Sequence, residues 1–153
     1  MAESSEATIS LREITKDNLR EIFRLKVAPE QERFVALNAI SIAQAYFDRD
    51  VAWFRAIYAD DKPVGFVMLH DEPAAQKYYL WRFMIDHQYQ KLGYGARALA
   101  LVIDYVRQRP GAHEFLTSVV PGEGSPGSFY EKQGFVYTGD VDEGERVMRK
   151  PLT

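Results

Sequence analysis

The stretch from Tyr78 to Ile85 is aromatic and aliphatic and reads as a strand. The chain then runs through Tyr89-Gln90-Lys91-Leu92-Gly93-Tyr94-Gly95-Ala96 into an amphipathic helix. Leu99, Val102, Ile103 and Val106 stand at i, i+3, i+4 and i+7, which predicts a helix over about 93–108, ended by Pro110-Gly111. Upstream, residues 9–12 read as a short strand. Thr15 or Asp17 can cap a helix running to about Lys26, with Leu19, Ile22 and Phe23 on one face. Residues 41–48 read as a second short helix. Residues 51–58 and 64–70 form a hairpin about Asp60-Asp61-Lys62, and with 78–85 they follow one another through short loops, so they should be antiparallel. Downstream come a strand at 114–120, a short helix at 127–133 stopped by Gly134, and two strands, 135–137 and 146–150, about an acidic turn at 139–144. The order β-α-α-β-β-β-α-β-α-β-β predicts an α+β (mixed α/β) domain with one central, mixed, mostly antiparallel sheet of six to seven strands flanked by helices.

A chain of 153 residues suits a single domain, with residues 1–7 expected as a flexible N-terminus. There is no cysteine, which excludes disulfides, thiolate catalysis and cysteine metal sites and suits a cytoplasmic protein. The formal net charge of −3 and the lack of a Lys/Arg run argue against nucleic acid, where phosphate neutralisation needs a basic excess. No apolar run approaches the length of a membrane span, and residues 1–6 lack the basic and apolar regions of a signal peptide. His70, His87 and His113 have no metal-ligand spacing, so no metal is expected.

The glycine segment carries the chemistry. The first turn of a helix has unpaired N–H groups and partial positive charge. Glycines at 93 and 95 remove the Cβ atoms that would hold a phosphate away, and Lys91 and Arg97 add charge nearby. A pyrophosphate is the ligand this favours. A tight turn that needs glycine and binds nothing would use the same residues. Gly93, Gly95 and Ala98 also match the dinucleotide fingerprint G-x-G-x-x-G/A, with Glu114 about 20 residues on. That fingerprint belongs after the first strand of a parallel unit, however, and here several antiparallel strands come first. No GKS or GKT follows, which excludes a triphosphate P-loop.

With Gln90, Gly93 and Gly95 filling [Q/R]-x-x-G-x-[G/A], and Phe83 to Tyr89 as the lead-in, the sequence resembles the GNAT superfamily of acyl-CoA-dependent N-acetyltransferases over about residues 8–152. The resemblance implies acetyl-CoA as cosubstrate. The backbone of Lys91, Leu92, Gly93, Tyr94, Gly95 and Ala96 would meet the pyrophosphate, with Gln90 in the same motif. Phe83, Met84 and Ile85 would lie beside the pantetheine and acetyl group. Ser128-Phe129-Tyr130-Glu131-Lys132-Gln133-Gly134-Phe135 resembles the family segment F-Y-x-x-x-G-F, which implies Tyr130 as the general acid for the departing thiolate. Many members carry an asparagine seven positions before that tyrosine. Here it is Glu123, in the Gly/Pro-rich 121–127 segment, whose backbone is expected to take over the contact.

Tyr79-Leu80-Trp81-Arg82-Phe83 looks closest to the bacterial spermine/spermidine (polyamine) acetyltransferase branch, although several relatives there have an acid where this chain has Trp81. The base is therefore open among Glu114, His113, Asp71 and water. Acids interleaved with aromatics in the first third (Glu30, Glu32, Asp48 and Asp50 among Phe34, Tyr46, Phe47 and Trp53) would attract an ammonium, with Trp81 beside them. No nucleophile motif is present, which favours direct attack by the amine without an acetyl-enzyme. The expected partners are coenzyme A and a small-molecule amine, not a membrane or nucleic acid, and a homodimer is open to such a chain. A catalytically idle acyl-CoA-binding module and a dinucleotide-binding domain are the alternatives.

Overall fold

The computed structural model describes residues 6–153. Seven strands form one sheet in the order β1-β2-β3-β4-β5-β7-β6: β1 Ile9–Arg12, β2 Ala52–Ala59, β3 Lys62–Glu72, β4 Lys77–Ile85, β5 Glu114–Val119, β6 Val136–Asp142 and β7 Glu145–Pro151. Every neighbouring pair is antiparallel except β4 and β5. The helices are α1 Leu19–Arg24, α2 Asn38–Phe47, α3 Tyr94–Arg107 and α4 Gly127–Lys132, with a 3₁₀ turn at Pro29–Phe34.

The expected α+β class and mostly antiparallel mixed sheet hold. The boundaries move where local propensity is weak. α1 is shorter than its apolar pattern suggests, because Leu25 turns extended, and Asn18 rather than Thr15 or Asp17 precedes it. Phe23 is correspondingly exposed, while Ile22 is fully buried. β6 reaches Asp142 and β7 starts at Glu145, so the acidic turn shrinks to its tip. The N-terminal expectation covers residues 1–7; of these, 1–5 lie outside the described residues. Ala7 is buried, and its carbonyl accepts a bond from Arg97 of α3.

The sheet separates two apolar cores. On one face, α3 contributes Leu99, Val102 and Val106, each fully buried and each contributing about 1.5–3 kcal/mol over exposure. They pack with Val67, Phe115 and Phe135. On the other face, Ile22, Leu25 and Ala45 of the α1–α2 region cover Phe66, Met68 and Met84. Gly65 lets β3 and β4 approach closely, since a Cβ there would stand 2.4 Å from the Met84 carbonyl oxygen. No helix among the described residues is long and apolar enough to cross a membrane.

Candidate active site

Two local irregularities in the middle of the sheet build the site. The first is a bulge in β4. Met68 pairs with Arg82 and Leu69 with Leu80, leaving Trp81 as the extra residue. Tyr78 and Leu80 face the α3 core, as do Phe83 and Ile85, so the alternation slips by one across the bulge. Trp81 packs on the α1–α2 core, and Arg82 reaches Gln44 of α2 on that side.

The second is a split. β4 and β5 pair only at Tyr79–Leu116 and Leu80–Thr117. Beyond that point β4 stays on β3 as far as Ile85 while β5 departs. Two of the carbonyls along this edge of β4 are taken by side chains: Thr117 Oγ1 donates to Leu80 O (3.1 Å) and Gln90 Nε2 to Ile85 O (2.9 Å).

A cavity of about 540 Å³ opens in the split, a size typical of ligand pockets. It is lined by Phe83, Met84 and Ile85 from β4, by Gln90, Lys91, Gly93, Tyr94, Gly95 and Ala96, and by Ser125, Pro126, Phe129 and Tyr130. Lys91 and Gly93 both have positive φ (67° and 82°), and Gly93 is the residue from which α3 starts. A Cβ built on Gly93 would meet nothing within 4 Å, so glycine is required there by conformation, not by space. Gln90 Nε2 also donates to Gln31 Oε1, which itself accepts the Ala28 N–H, tying the loop to the 3₁₀ turn. Asp86 is buried and accepts the amides of Lys26 and Gln88, fixing the approach to the loop.

A second cavity of about 340 Å³ lies between the two arms of the split, lined by Trp81 and Arg82 of β4, Ser118 of β5, and Glu32, Arg33 and Glu145 among others. Phe34, Val35, Phe83, Pro126 and Tyr130 line both cavities. Tyr130 is buried among Phe129 and Phe135, at 5.3 and 5.6 Å between ring centroids. Burial pushes its phenol well above the ordinary value of 10, opposed by a smaller effect of the hydrogen bond with Thr117. The group is therefore a neutral O–H throughout the working range.

Of the residues expected at the phosphate and acyl positions, Leu92 alone lines neither cavity. It packs instead against the α3 core. Of the acids, Glu32 lines the smaller cavity and Trp81 joins it, whereas Glu30 and Asp48 line neither. Glu30 is exposed on the 3₁₀ turn, and Asp48 is exposed at the C-terminal end of α2. Three candidate bases are removed from the site by the register. Asp71 pairs with Tyr78 at the end of β3 opposite the Gly65–Ile85 pair, and is occupied by Tyr105 and by Arg109 at 3.1 Å. Glu114 opens β5 at that same far end, bound to Arg149, and His113 precedes it.

Sequence reasoning missed Glu145 and Arg82. Glu145 sits beyond the acidic turn, and only the β5–β7 pairing brings it to Ser118, whose hydroxyl donates to it at 2.8 Å. In the 121–127 segment, the Glu123 carbonyl accepts from Arg33 (3.0 Å), and Ser125 Oγ is buried at the larger cavity without a hydrogen-bond partner. An unsatisfied buried hydroxyl facing a cavity suits a polar ligand. Among the described residues, no three His, Cys, Asp or Glu side chains gather as a metal site.

The sequence model of the Acetyltransferase (GNAT) family matches residues 9–135. The spermine/spermidine N(1)-acetyltransferase of Bacillus subtilis (strain 168) is 25% identical over 154 residues, 95% of this chain and 99% of that protein. The crystal structure of the PaiA N-acetyltransferase from Thermoplasma acidophilum in complex with coenzyme A superposes with a TM-score of 0.70 at 20% identity, covering 94% of this chain and 99% of that one. The spermidine N-acetyltransferase SpeG chimera from Vibrio cholerae and hSSAT gives 0.69 at 18% identity, covering 94% and 95%.

Proposed function

The chain belongs to the GNAT family of acetyltransferases, which use acetyl-CoA, and from that premise we propose that it acetylates a small primary amine by direct transfer between its two cavities. The observation that carries this reading is the meeting of the cavities at Phe83 and Tyr130, where a donor held in one can face an acceptor held in the other. Acetyl-CoA supplies a thioester carbonyl that an amine attacks, forming the amide and breaking the C–S bond.

The larger cavity is the coenzyme A site. The Lys91–Ala96 backbone and the α3 N-terminus take the pyrophosphate, where helix-end N–H groups and their partial charge favour an anion. The edge of β4 vacated by β5 flanks the pantetheine and acetyl group along Phe83, Met84 and Ile85. Ser125 supplies a hydroxyl contact in the segment where many relatives use asparagine. Gln90 works indirectly, bracing the loop through Ile85 and Gln31.

Tyr130 donates to the departing sulfur. A phenol raised above 10 is a weaker acid than a thiol with pKa about 8.5, so its contribution is a hydrogen bond that stabilises the thiolate more than a completed proton transfer. Glu32 and Glu145 draw the ammonium into the smaller cavity, and one of them, or water, takes its proton before attack. The acceptor class suggested by the B. subtilis relative is a polyamine.

Free-thiol release from acetyl-CoA in the presence of a panel of primary amines tests the proposal. The expected result is release that saturates with at least one amine, together with calorimetric binding of coenzyme A and none of NADH. Binding of coenzyme A with no amine-dependent thiol would instead mark an idle acyl-CoA-binding module.

A further inference from the structure

The charges lining the smaller cavity do not suit a bare polycation. Glu32 and Glu145 are matched there by Arg33 and Arg82, two carboxylates against two guanidiniums. Arg33 is engaged with the Glu123 carbonyl, but Arg82 is differently placed. It is half-buried on the β4 bulge, with Nη1 donating to the Trp81 carbonyl (2.9 Å) and Nη2 to Gln44 Oε1 (3.0 Å). No carboxylate among the described residues lies within ion-pair distance of it, and its Nε is buried with no acceptor. A guanidinium has five N–H groups in a fixed fork that matches the two oxygens of a carboxylate, and leaving buried ones unused is costly. Glu145 stands on the other arm of the split, anchored by Ser118 of β5, while Arg82 is anchored toward α2. The cavity thus holds an anion and a cation that act on each other through space without forming an ion pair, and the cation keeps a buried N–H with no acceptor.

We propose that the acceptor is an amine that also carries a carboxylate, such as an amino acid or short peptide, and that Arg82 binds that carboxylate and sets the preference. This rests on the acetyl-transfer reading above and narrows its acceptor class away from polyamines. Arg82 is a specificity residue, since the bonds it forms lie away from the reacting carbon.

Matched acceptors test it by free-thiol release: 4-aminobutanoate against 1,4-diaminobutane, and glycylglycine against glycylglycinamide. The carboxylate member of each pair should have the higher kcat/KM, by about 10- to 100-fold, the range for a hydrogen-bonded charge pair. Arg82→Gln should abolish that preference by raising KM for the carboxylate acceptors alone, and Arg82→Lys should restore part of it. Thermal melts and coenzyme A calorimetry report whether each variant keeps its fold and its donor site. A wild-type preference for the diamine and the amide overturns the inference without needing any variant, and leaves acetyl transfer standing. Equal losses for both members of a pair in a folded Arg82→Gln protein overturn it as well. If no acceptor of either kind releases thiol, the acetyl-transfer reading fails and this inference falls with it.

Discussion

Replacing Tyr130 by Phe removes one oxygen and leaves the ring among Phe129 and Phe135, so the packing of α4 should survive. The structural loss is at most one polar contact, with Thr117, whose hydroxyl donates to the Leu80 carbonyl in either protein. One buried hydrogen bond is worth about 1 kcal/mol, which in a chain of this length lowers Tm by roughly 2–4 °C. The kinetic loss should be larger. General-acid groups typically contribute about 10²–10⁴-fold, and a phenol held above 10 is a poor proton donor to a thiolate, so the fall in kcat should lie near the lower end, about 100-fold. Coenzyme A affinity should change little, because the hydroxyl acts on charge that develops only as the C–S bond breaks. In the wild type, kcat should show no decline assignable to Tyr130 up to pH 10, since the buried phenol keeps its proton there. Steady-state kinetics by thiol release, calorimetry and a melting curve measure all of this on the same samples. A kcat within twofold of wild type would refute the donor role. A Tm loss without a kcat loss would make Tyr130 a packing residue.

Other outcomes follow from the same geometry. Gly93→Val forces a β-branched residue to a φ of +82°, costing about 1–2 kcal/mol or more, and should weaken coenzyme A at least tenfold by calorimetry, whereas Gly93→Asn should keep Tm within a few degrees. Undiminished affinity in Gly93→Val would sink the loop assignment. Ser125→Ala removes a buried hydroxyl that has no partner in the free protein, so Tm should hold or rise while coenzyme A binding weakens about 3- to 10-fold. Burial, and then the bond to Asp71, push Tyr105 up to about 12, against 10 when unfolded. The stability linked to it is complete below pH 10 and is lost as pH rises toward 12, and urea titrations across that range should show a shallower decline in Tyr105→Phe.

Elements with a strong period were legible in the sequence, and the site was legible where it is local. α3 follows from Leu99, Val102, Ile103 and Val106, and the glycine turn and Tyr130 each sit in a short contiguous motif that ends up on one cavity. Features that depend on how distant segments meet were not legible. The β4 bulge leaves the composition of the strand unchanged, so nothing in its residues announces that Trp81 and Arg82 share a side. Glu145 resembles any hairpin acid until β7 pairs with β5. Glu30, Glu32, Asp48 and Asp50 are alike by composition, and only the path of the 3₁₀ turn selects Glu32. Asp71 looked available as a base, but its partners Tyr105 and Arg109 come from over 30 residues downstream.

The slip in β4 also bears on how such an enzyme can be re-engineered. A regular strand couples its ends, because shifting the register at one point inverts every side chain beyond it. Here the inversion has already occurred between Leu80 and Phe83, and it is absorbed by the unpaired Trp81. Positions 81 and 82 can therefore be rewritten as a pair, with charge, bulk and polarity exchanged to suit a new acceptor, while Phe83 to Ile85 keep their orientation toward the donor. Deleting one of the two would remove the bulge and leave a regular ladder in which Leu80, Phe83 and Ile85 still face the α3 core, with a single side chain in place of the pair on the other face. Both substitution and a single-residue deletion can therefore reshape the acceptor side at this point of the chain while the donor side keeps its register.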